Sequence, residues 1–194
     1  MVVLHPSADA GIQGAIPLDI VRDWGNNGCV MPSASSNLAP HTIVALVKDR
    51  PGVLYRIAAC WQEKGFNIRS LAVGASEREG LSRMTFVVDV STDAEEVVSA
   101  LRKLDDIAEI DDISDREFVS RELALVRVQG GKEVRKRLMD IVETFNAKVV
   151  DVGATTMIVE VTGHENKIDS LVRLLKDYDV VELVRTGRVS MVKS

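Results

Sequence analysis

The chain has 194 residues, 46% hydrophobic and 27% charged, with two cysteines and a formal net charge of -5. That mixture excludes collagenous, disulfide-stapled and disordered classes, and at roughly 100–200 residues per domain it leaves room for one or two domains. Mild acidity and only 4% aromatic residues argue against nucleic acid or an anionic membrane surface as the principal partner.

The longest apolar run falls well short of the roughly 18 residues that span a bilayer, so no transmembrane segment is expected. Cys29 and Cys60 lack CxxC spacing. They suit a reducing compartment rather than a zinc ribbon or redox pair, and a cytoplasmic protein is expected. The first forty residues do not read as a signal peptide, because Asp9, Gly11, Gly14, Pro17, Asp19 and Asp23 break their apolar content and no basic start precedes them. Rich in Ser, Ala, Gly, Pro and Asn, residues 1–40 read as a poorly ordered tail. Ile16, Ile20 and Trp24 mark a short helical patch within it.

After Pro40 the pattern sharpens. Residues 42–47 alternate Ile43, Ala45 and Val47 with Val44 and Leu46, as in a buried strand. Pro51 opens a helix striped by Leu54, Ile57, Ala58 and Trp61, and Gly65 stops it. Residues 66–76 and 81–90 form a hairpin about the polar turn 77–80. Thr92 or Asp93 caps a second helix with apolar positions Val97, Val98, Leu101 and Leu104, and 107–113 closes the unit. Strand, helix, strand, strand, helix, strand predicts two helices on one face of a four-stranded antiparallel sheet, the ferredoxin-like arrangement.

The same order recurs after about 77 residues, a spacing that fits a duplicated domain and not a solenoid. Residues 121–129 read as a strand, Val134, Leu138, Ile141, Val142 and Phe145 as a helical stripe, and 148–154 and 157–162 as two strands. Ile168, Leu171, Val172 and Leu175 stripe a further helix, and 180–192 forms a closing strand interrupted at Gly187. The fold class is therefore α+β. Two ferredoxin-like βαββαβ sandwiches, 41–115 and 119–194, follow the tail, each of a size that favours packing on the other or on a partner.

The catalytic inventory is thin. His5, His41 and His164 lie in the tail, before the first strand and at a helix entry, so no histidine-centred site is expected. Cys60 reads as a packed thiol, and neither a nucleophile elbow nor a Walker or GxGxxG loop occurs. Asp105, Asp106, Glu109, Asp111, Asp112 and Asp115 lack the spacing of a calcium loop and read as solvated charge, as do Lys132, Arg135, Lys136 and Arg137 on a helix face.

The turn KDRPGVL at 48–54 stands apart. A turn ending at a helix N-terminus presents unpaired N–H groups and a positive dipole end that suit a carboxylate. Gly52 admits close approach to that backbone, and Asp49 can take an ammonium, or else simply caps the helix. Asn67 either only turns the chain into the second strand or offers an amide whose donors and acceptor read an amino-acid backbone. In a ferredoxin-like unit the first loop and the start of the second strand either lie near each other or meet across a side-by-side dimer, so a shared ligand site is expected.

DRPGVL at 49–54 followed by GFNI at 65–68 resembles the ACT domain, the small amino-acid-sensing module. GFNIRSLAVGASEREGLSRMTFVV at 65–88 resembles more narrowly the small regulatory subunit family of acetolactate synthase, also called acetohydroxyacid synthase. RELALVRV at 121–128, DVGATTMIVEVTG at 151–163 and KIDSLVRLLKDYDVVELVRTGRVSM at 167–191 resemble that family's C-terminal domain. The resemblance implies a chain with no catalytic site, cofactor or metal of its own. Such a chain forms a homodimer through its ACT domains, binds the large catalytic subunit, raises its activity and confers feedback inhibition by valine or a related branched-chain amino acid. Thiamine diphosphate, magnesium and FAD are implied on the catalytic partner. The family's effector site, between two ACT domains of a dimer, maps to Asp49, Gly52 and Asn67, with Asp49 standing where the family has Asn. The contrasting readings are a free-standing ACT-domain amino-acid sensor acting on a transcriptional or signalling partner, and a small ferredoxin-like enzyme. The exposed strand and hairpin surface around residues 71–84 is expected to form part of the contact with the catalytic subunit.

Overall fold

The computed structural model describes residues 40–89 and 94–194. The expected helical patch, the tail reading of 1–39 and the Thr92 or Asp93 cap lie outside them. The first unit runs β1 (His41–Lys48), α1 (Val53–Glu63), β2 (Asn67–Ala75), β3 (Leu81–Asp89), α2 (Ala94–Leu101) and β4 (Ile107–Asp112). The second runs β5 (Phe118–Gln129), α3 (Lys132–Thr144), β6 (Lys148–Val152), β7 (Thr156–Gly163), α4 (Glu165–Leu175), a 3-10 turn (Lys176–Tyr178), β8 (Val180–Arg185) and β9 (Val189–Val192). The sheets have the orders β2-β3-β1-β4 and β6-β7-β5-β8, with every pairing antiparallel and β9 added on β5. This is the expected ferredoxin-like order, occurring twice.

Alternation on the central strands builds each core. In the first unit Ile43, Ala45 and Val47 of β1 and Met84, Phe86 and Val88 of β3 lie beneath Val53, Ile57 and Trp61 of α1 and Val98 and Leu101 of α2. The Trp61 and Phe86 rings meet at 5.1 Å in a tilted pair, a geometry that adds to the gain from burying their area. In the second unit Ala124, Val126 and Val128 of β5 lie beneath Leu138 and Val142 of α3 and Ile168, Leu171 and Leu175 of α4.

Three local expectations need correction. Pro51 does not open α1. Arg50 to Val53 form a turn with proline second and glycine third, Gly52 has φ +85° and ψ -7°, and the Val53 N–H reaches the Arg50 carbonyl at 3.5 Å. Those are the marks of a type II turn. Because the helix starts after this turn, its buried face is Val53, Ile57 and Trp61. Leu54 and Ala58, one position further round, are exposed. Third, the closing strand does not resume its path after Gly187: with φ +78° there, β9 turns to the other half of β5 and pairs with residues 118–121.

Phe86 is fully buried against both helices' apolar faces. Phe86→Ala is expected to cost about 3–5 kcal/mol, read as a lower urea midpoint with an unchanged m-value.

Candidate functional site

The turn between β1 and α1 is held from three directions. The Lys48 N–H donates to the Asp106 carbonyl at 2.9 Å, and the Asp49 N–H to the Gly80 carbonyl of the β2–β3 hairpin at 2.9 Å. The carboxylate of Asp106, only 4% exposed, accepts from Arg50 Nε at 2.7 Å and from Arg56 Nε at 2.5 Å. A buried carboxylate is tolerable when paired in this way. The Arg56 hydrogen bond, with that of Arg50, outweighs burial and holds Asp106 below the usual carboxylate range. Asp106 was expected among solvated acids. It is instead the buried anchor of the turn, and no local pattern marks it, because its partners lie some fifty residues earlier in the chain.

Asp112 departs from the solvated reading too. Burial pushes its carboxyl up, but hydrogen bonds from the Ser114 hydroxyl and N–H and from His41 Nδ1 at 2.6 Å bring it below the ordinary range. Arg135 likewise leaves the solvated helix face, donating to the carbonyls of Gly130 and Ala154 at 3.3 and 3.1 Å. His164 is an N-cap, its Nδ1 3.4 Å from the Asn166 N–H. Burial pushes the Cys60 thiol up, as an inert packed thiol requires. Among the described residues no group of three or more His, Cys, Asp and Glu side chains is placed to hold a metal, and no helix is long and apolar enough to cross a membrane.

Asp49 does not cap α1. The N-cap is Gly52, without a side-chain capping bond, and the exposed Asp49 carboxylate stands three residues earlier. A Cβ on Gly52 would lie 2.9 Å from Arg56 Nη1 and would sit at a positive φ. Glycine thus keeps the turn open and leaves Arg56 on Asp106.

Asn67 is exposed at the first position of β2, opposite Asp89. Lys48 is level with Leu81, at the other end of β3. Within one chain the Asp49–Gly52 turn and Asn67 are therefore separated by the length of β3, nine residues or about 27 Å at the antiparallel rise. The alternative that they lie near each other in one ferredoxin-like unit is corrected by strand polarity: α1 carries the chain back down the sheet before β2 begins.

Residues 43–109 match the AHAS small subunit-like ACT domain family, and residues 121–194 match the family of the small subunit of acetolactate synthase. Over 152 residues the chain is 42% identical to the acetolactate synthase small subunit of Mycobacterium bovis, covering 78% of this chain and 90% of that one. The Bacillus subtilis small subunit is 40% identical over 153 residues, covering 78% and 89%. The crystal structure of the acetolactate synthase small subunit from Thermotoga maritima aligns with a TM-score of 0.75 at 32% identity, covering 81% of this chain and 99% of that one.

Gly52→Ala is expected to cost about 1–2 kcal/mol for the left-handed backbone, seen in urea unfolding. For Asp106 the folded-state pKa is lowered, so its contribution is present above the unfolded-state pKa near 4. That contribution is lost as pH falls through the lower folded value. Melting temperatures measured from pH 6 down to pH 2 should fall less steeply in Asp106→Asn than in the unaltered chain.

Proposed function

This chain belongs to the acetolactate synthase small-subunit family, and on that premise we propose that it binds and activates a catalytic large subunit and makes it sensitive to valine or a related branched-chain amino acid. The observation that carries this reading is the extent of the relationship: matches to the family cover both βαββαβ units, and the aligned region takes in nine-tenths of a known small subunit. The two units are proposed to act as domains 41–115 and 119–194. Thiamine diphosphate, magnesium and FAD belong to the large subunit in this reading, and the carbon chemistry takes place there.

The proposed effector site is made by two copies. β2 is an edge strand, and Val73, Gly74 and Ala75 are exposed along it, so it retains hydrogen-bonding capacity for another strand. Pairing β2 antiparallel with its copy across a two-fold axis brings the Asn67 end of one copy level with the Asp49–Gly52 turn of the other. Strand polarity, which separates these residues in one chain, is what supports their meeting in a dimer. The amino acid's carboxylate is taken by backbone N–H groups at the start of α1. Its ammonium is taken by Asp49, and its backbone is read by Asn67 of the partner subunit. A coupling of about 1–3 kcal/mol is enough for regulation, within reach of a few hydrogen bonds.

The test mixes the chain with its large subunit and follows acetolactate formation with and without valine, beside calorimetric titration of the chain with valine, leucine and isoleucine. Activation and a complex are expected, and neither appearing would sink the reading. Asn67→Ala should keep activation and lose the valine response.

A further inference from the structure

The segment between β8 and β9 reaches across to the first unit. Gly187 lies against β2: a Cβ there would be 2.6 Å from Ser70 Oγ and 3.1 Å from the Leu71 carbonyl. The next residue, Arg188, is 13% exposed and spans three elements. Its N–H donates to Ser70 Oγ at 2.9 Å, its Nη1 to Thr42 Oγ1 at 3.2 Å, and its Nη2 to the carboxylate of Glu165, the first residue of α4. Thr42 is buried, and its own N–H and carbonyl are bonded to Ser114 Oγ and the Ile113 N–H, so the contact reaches the β1–β4 layer. Three residues before Arg188, Arg185 binds Glu122 through two bonds of 2.7 Å and Asp169 at 2.7 Å. The segment 185–188 therefore grips α4 at two successive turns while holding β1 and β2.

We propose that Arg188 is the positioning residue that couples the amino-acid site to the C-terminal unit, by making β1, β2 and α4 move as one body. This rests on the effector reading above and extends it. Ser70 lies three residues from Asn67 on β2, just after an irregularity in the strand's register. A shift of β2 on binding at Asn67 is thus delivered to the Arg188 N–H without an intervening element. A ligand shifts an equilibrium only through contacts that differ between two states, and the Ser70, Thr42 and Glu165 contacts are ones that such a shift makes or breaks together. The planar guanidinium serves Thr42 and Glu165 at once through two nitrogens in a fixed fork, a spread of donors that the single nitrogen of a lysine ammonium lacks.

The test uses the full chain with its large subunit. Arg188→Ala is expected to bind valine within twofold of the unaltered chain by calorimetry and to activate the large subunit within twofold, while valine inhibition weakens at least fivefold, the lower end of ordinary allosteric coupling. In Arg188→Ala, valine should still slow hydrogen exchange of the β2 amides but no longer that of the α4 amides, which it slows in the unaltered chain. Ser70→Ala removes a single hydroxyl from a half-buried site, so its fold is secure, and it should weaken inhibition in the same direction with valine affinity retained. Valine inhibition unchanged in both variants, with valine bound normally, overturns the coupling role. No valine binding to the unaltered chain overturns the effector reading itself, and the two failures are told apart by which protein shows them.

Discussion

Strand polarity governs how this molecule can be used. A strand followed by a packed helix and a second parallel-running strand brings the chain back to the level at which it started, so the turn after β1 and the first residue of β2 stand at opposite ends of the sheet. The small polar groups that the sequence offers for reading an amino acid are therefore about a strand length apart in one copy, and β2 lies at the sheet edge where a second copy can pair. The edge position of β2 and the separation of Asp49 from Asn67 in one chain both follow from the order and polarity of the strands.

Buried and half-buried charge marks the junctions of the fold. Asp106 joins the first turn to the entry of β4, Glu122 and Arg185 join β5 to β8 and, through Asp169, to α4, and Arg188 joins the two units. In each case the charged group is held by more than one partner, as its desolvation demands. Such ties are directional where apolar packing is not, so they fix the orientation of elements whose association the hydrophobic cores drive.

Much of the fold was legible because the periodicities are clean. Ile43, Ala45 and Val47 announce β1, Leu138, Ile141, Val142 and Phe145 announce α3, and Gly187 announces the break between β8 and β9. The misreadings at α1 have one cause: Pro51 permits either the first turn of a helix or the second place of a type II turn, and the left-handed conformation of Gly52 decides between them. Of the candidate site, Gly52 was legible through its chemistry. Asp106 and Arg188 were not, since an acid within a run of acids and an arginine beside a glycine look like surface residues until distant partners close on them.

What the sequence determined by itself is whatever depends on neighbours within a few residues: strand alternation, helical stripes, turn residues, the repeated order of elements and the motifs that mark the family. Tertiary structure decided what depends on how separate elements come together, namely which acid is buried, where β9 pairs and that Asp49 and Asn67 do not meet in one chain. The division is physical: local pattern reports the apolar face an element presents, while partner and polarity emerge only when several elements must satisfy their hydrogen bonds and charges together.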